Sequence, residues 1–208
     1  MTEEADNRTA DRIAGGALVL GSLLSVLAMA HHPTHVDPGG MVGFIHGAMI
    51  LLLTATAFGF VHFALRRGLG RPAVLAGLIV YLLSLVAHIG AGTINGFVVP
   101  ALAMRGAALS GHDVFLLAWE GNQALARLGV FATGAAFAFW SIDFLRRAGL
   151  EAKAIGGLGL VAGLGPVILL GAGAIDMHVA GAFASYAAFA IWGTLVGVYL
   201  FRGGLDQR

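Results

Sequence analysis

His46 and His88 are the two residues of this sequence best placed to do chemistry together. Each lies inside a long apolar run and beside glycines, His46 within Gly43-Phe44-Ile45-His46-Gly47 and His88 just ahead of Gly90 and Gly92. A buried polar group without a partner costs roughly 2–7 kcal/mol, so each imidazole must find a neighbour or hold a ligand. Two imidazoles from different helices, flanked by small residues, suit bis-histidine ligation of a b-type haem. Arg127 then stands where a propionate could meet it. Joined instead by His178 and Glu120, the same histidines make a mixed nitrogen and oxygen set for a Zn, Fe or Cu ion.

Other polar residues sharpen or weaken these expectations. Glu120, Gln123 and Arg127 are spaced i, i+3, i+7. That spacing lines them on one helix face, and the cost of a charge in hydrocarbon predicts that the face turns inward. His62 is sixteen residues after His46, so it points about 160° away and is expected near the headgroups. The segment His31-His32-Pro33-Thr34-His35-Val36-Asp37-Pro38 reads as a loop with several metal-capable side chains. The pair His112-Asp113 is a weaker cluster of the same kind.

The elements that must position these groups follow from composition. Of 208 residues, 58% are hydrophobic and 11% charged, too little charge to cover a soluble domain of this size. Lipid is the simplest solvent for the excess apolar surface. Six apolar segments, at 13–30, 41–65, 72–97, 115–145, 155–175 and 179–201, are each long enough to cross a bilayer core of about 30 Å. The expected fold is an all-α, polytopic bundle of six transmembrane helices over 13–201, with polar tails at 1–12 and 202–208. The polar, acidic start reads as a tail, because a cleavable signal would open on a short basic stretch.

Orientation comes from the basic residues. Arg8, Arg12, Arg66, Arg67, Arg71, Arg146, Arg147, Lys153, Arg202 and Arg208 are ten of the twelve Lys and Arg residues, and all fall in alternate linkers or the tails. The positive-inside rule puts those segments, and both termini, in the cytoplasm of a bacterial-type inner membrane. Matching segments such as Leu65-Arg66-Arg67-Gly68 and Leu145-Arg146-Arg147-Ala148-Gly149 suggest one helical hairpin used three times.

Several functions are excluded. A net charge of +1 offers no basic face for nucleic acid. The absence of cysteine removes disulfides, iron–sulfur clusters and thiolate metal sites. No nucleotide-binding motif is present, and no lysine falls within a span to form a Schiff base. The leading expectation is a haem b redox protein, with a membrane redox partner or quinone. The alternatives are a non-haem Zn, Fe or Cu intramembrane site or enzyme, and a cofactor-free transport, binding or structural subunit.

Overall fold

The computed structural model of the chain describes residues 3–33, 40–105 and 112–206. His35 and Asp37 of the histidine-rich loop lie outside the described residues, as does Arg208. The elements are α1 (Glu3–Ala30), α2 (Met41–Arg67), α3 (Pro72–Thr93), a π-turn (Ile94–Val98), α4 (Val99–Arg105), α5 (His112–Leu145), α6 (Leu150–Gly171) and α7 (Val179–Phe201). Six spans are long and apolar enough to cross a membrane, with α3, the π-turn and α4 acting as one. Large apolar side chains such as Leu51, Val86, Val161 and Ile168 point outward. That surface suits lipid contact and a multi-pass membrane protein.

Local chemistry explains where the helices stop. α2 closes with Arg66 and Arg67 in its last turn, which complement the negative end of the helix dipole. Gly68 then takes φ 92°, a conformation that favours glycine, and turns the chain. Pro72 opens α3 at its first helical position, where no N–H is needed. The third segment departs from expectation, because it does not end near Phe97 but runs on to Arg105. Pro100 has no N–H to give the preceding turn, and the wide π-turn just ahead of it absorbs that irregularity.

The spans form a ring in chain order, α1, α2, α3, α5, α6, α7, with α7 closing on α1. Small residues set the tight seams. Gly15 faces the Gly197 carbonyl between α1 and α7, and Gly134 faces Gly163 between α5 and α6. Gly59 of α2 admits Leu18 of α1, and Gly77 of α3 lies against the Trp140 indole of α5. A Cβ at any of these would collide, so the glycines allow backbone approaches that larger residues forbid. The α2–α3 and α6–α7 seams are looser.

One end of the ring, the arginine end, is sealed. Asp11, with its side chain only 1% exposed, accepts from His62 Nε2 at 2.7 Å and from Arg66 at 2.8 and 2.9 Å. Arg66 also reaches Asp206, tying the C-terminal tail to α2. Arg67 and Arg71 pair with Asp143. His62 thus belongs to an ion-pair cluster at the arginine end. Above it lies an aromatic plug in which Phe60 stacks on Trp140 at 5.2 Å and on Trp192 at 5.7 Å. Both indoles donate to main-chain carbonyls, Trp140 to Val74 and Trp192 to Ile155.

Candidate functional site

Above the plug, towards the histidine end, the ring encloses a cavity of about 150 Å³. Side chains of α1, α2, α3, α5 and α7 line it. Its walls are mainly apolar, with His32, His46, His88 and Asn95 among the polar groups. His46 and His88 therefore do line one cavity, but each has its own set of partners.

His46 is 4% exposed and projects from α2. Its Nδ1 is 2.8 Å from the Val42 carbonyl one turn earlier. A carbonyl only accepts, so Nδ1 carries the hydrogen and Nε2 presents a lone pair. Asn95 Nδ2 stands 3.1 Å from that Nε2. Gly96 makes the approach possible, since a Cβ there would strike the His46 side chain. His32, at the end of α1, completes the group. Its Nδ1 donates to its neighbour's carbonyl, Pro33 O, at 2.9 Å, which also leaves Nε2 as a lone pair.

The two Nε2 atoms face each other at 3.1 Å, with ring centroids 4.8 Å apart and the planes at 77°. Two lone pairs at that distance repel unless a proton or a cation lies between them. Burial, and then the neighbouring His46 imidazole, hold His32 below the ordinary histidine pKa, which disfavours the proton.

His88, 5% exposed, lies deeper on α3. Its Nδ1 meets the Tyr186 hydroxyl at 3.1 Å and its Nε2 meets the Thr133 hydroxyl at 3.2 Å. The ring lies against α5 at Gly129, where a Cβ would overlap it. Both nitrogens are thus engaged by hydroxyls from α5 and α7.

The remaining expected site residues sit elsewhere. Glu120 and Arg127 are exposed, and only Gln123 of that face is buried, donating to the Met177 carbonyl at 3.5 Å. This corrects the expectation that all three turn inward. The inward face of α5 is instead Asn122, Ala126, Thr133 and Phe137, and Arg127 stands about 100° round from Ala126. Length removes the need for burial. Arg127 is eighteen residues from Leu145, so about 27 Å along the axis, nearly a full hydrocarbon thickness from the arginine end. Its guanidinium can reach headgroups from there, and Glu120 lies farther out.

His178 does not line the cavity either. Its side chain is 63% exposed, bonds Asp176 at 2.8 Å and stacks on Trp119 at 5.9 Å. That hydrogen bond from His178 holds the Asp176 carboxyl below its ordinary pKa. Among the described residues, no three His, Asp or Glu side chains converge on a metal-sized site.

No family model matches the chain, and no curated protein or solved structure does so either. Function therefore has to be argued from the cavity alone.

Sequence reasoning gave His32 no special place among the loop histidines and did not put Asn95 in the site. A weak signal existed for His32. It directly follows the first span, so a helix running a little past Ala30 brings it to the level of His46. Nothing comparable marked Asn95, whose direction depends on the π-turn.

Proposed function

We propose that this chain is a multi-pass membrane protein that binds a transition-metal cation at the histidine end of its central cavity. His32 and His46 are the imidazole ligands. The observation that carries the reading is the facing pair of Nε2 lone pairs at 3.1 Å, each fixed by an Nδ1–H bond to a main-chain carbonyl. Imidazoles tethered through Nδ1 to a main-chain carbonyl, with Nε2 presenting its lone pair, are the usual posture of histidine ligands, and on binding His46 Nε2 exchanges its Asn95 Nδ2 donor for the ion. A separation near 3 Å is what two nitrogens share when each is about 2.0–2.1 Å from one ion. Asn95 can turn its amide oxygen toward the same point.

A haem between His46 and His88 draws support from their shared cavity. It asks more of the molecule, since both His88 nitrogens would have to leave or rearrange their hydroxyl partners. For orientation, we carry over the positive-inside argument: the arginine end faces the cytoplasm and the cavity opens on the opposite side.

The test is a metal and optical survey of the full-length protein purified in detergent. The expected result is about one equivalent of a transition metal, lost in His32→Ala and in His46→Ala and kept in His88→Ala. A Soret band that disappears in His46→Ala and His88→Ala but survives in His32→Ala would replace this reading with the haem one. Reporter fusions to the 68–71 and 146–149 turns check the orientation, and a periplasmic signal from either overturns it.

A further inference from the structure

The cavity has a second chemical bias beyond its histidines. Of the six methionines in the chain, Met29, Met49 and Met177 line this one cavity. Met49 is three residues after His46 on α2, so its thioether lies on that histidine's side of the helix, and Met29 is in the last turn of α1, just ahead of His32. Met29 and Met177 are buried, at 4% and 6% exposure, whereas Met41 and Met104 are exposed. Methionine often serves as a flexible filler of apolar gaps. Three of them share the cavity with the imidazole pair and bring soft thioether donors to its wall.

The donors absent from the wall are as telling as those present. The chain has no cysteine, and among the described residues that line the cavity none is a carboxylate, a lysine or an arginine. The described donors on the wall are all uncharged groups: three imidazoles, two amides, the hydroxyls of serine, threonine and tyrosine, and three thioethers, of which two imidazoles, the Asn95 amide and the thioethers belong to the histidine reading. A divalent ion bound by them would leave two uncompensated charges in a mainly apolar space. Born desolvation grows with the square of the charge, so a monovalent ion is about fourfold cheaper to hold there. Hard divalent ions also prefer carboxylate and carbonyl oxygen, whereas thioether and imidazole donors select the soft cuprous ion.

We infer that the ion taken by this site is Cu(I), held by His32 and His46 with thioether donation from the methionines of the cavity. The inference rests on the histidine reading above and narrows it to one ion. No electron transfer is part of it, because binding alone accounts for the donor set.

The experiment compares two probes on the same protein. The wild-type chain and a Met29→Leu/Met49→Leu/Met177→Leu variant are titrated anaerobically with Cu(I) and separately with Zn(II), each against a chromogenic chelator. Leucine keeps the volume of methionine, so folding is checked and expected to persist. Cu(I) affinity should fall about 10–100-fold in the variant, as when the surroundings of a metal site are stripped, while any Zn(II) affinity through the histidines stays unchanged. Copper X-ray absorption should show a sulfur scatterer in the wild type and none in the variant. Equal Cu(I) affinity in both proteins would overturn the thioether inference and leave the histidine site standing. Failure of the wild type to bind either ion would overturn both.

Discussion

The two ends of this bundle treat polar groups in opposite ways. At the arginine end, the buried carboxylates Asp11 and Asp143 are met by arginines, and Asp11 also by His62. At the histidine end, two imidazoles crowd their lone pairs together above a cavity. Satisfied buried charges hold helices in place, whereas two crowded imidazole lone pairs add no cohesion of that kind. The contrast teaches that the fold is anchored at one end so that the other can remain imperfectly packed.

Substitutions at each end should separate the two roles. The largest effect is expected for Asp11→Ala, which strands Arg66 and His62 around a buried gap. Breaking a buried pair of this kind costs about 3–5 kcal/mol, with the lower value apt here because Arg66 keeps Asp206. Thermal unfolding in detergent should show a large drop in midpoint, and metal stoichiometry measured well below that midpoint should stay normal. Loss of metal with unchanged stability would break the comparison.

Gly96→Ala probes the boundary between the ends. The new Cβ meets the His46 side chain, and overpacking of this kind costs about 1–3 kcal/mol. Stability should fall less than in Asp11→Ala, yet metal affinity should fall with it. An unaltered affinity would mean that the position of His46 does not matter for binding.

The smallest expected effect is at Asp176, on the exposed rim of the histidine end. Its carboxyl pKa is lowered by the hydrogen bond from His178. A depressed folded-state value contributes stability that is present above the unfolded carboxyl pKa and lost as pH falls through the folded one. Carbon-detected NMR should find the Asp176 midpoint below about 3.9, the free value, and His178→Ala should return it towards that value. No change in the variant would show that the exposed pair contributes nothing to the rim.

Much of the bundle was legible because span-forming sequence is repetitive and strongly apolar. Val179–Phe201 was bounded to the residue, since His178 and Arg202 mark its ends. The inward direction of His46 and His88 was legible from the cost of an imidazole in lipid. Two things were not. Glu120 and Arg127 were expected inside because a sequence does not reveal how far a helix protrudes beyond the apolar layer, and α5 has 34 residues. The partnership of Asp11 with Arg66 links residues 55 apart, and a polar tail gives no hint that one of its carboxylates is buried.

The π-turn at Ile94–Val98 acts as a phase shifter. One residue more per turn than its neighbours need swings the chain that follows by about 100°, and the buried Val99 and Pro100 sit in their contacts only at that angle. Chain length is thereby written as rotation. Closed to an ordinary α-turn with every residue kept, the same stretch would carry the residues of α4 about 100° from their present bearing. Substitutions at the outward positions of the same turn would leave that bearing intact.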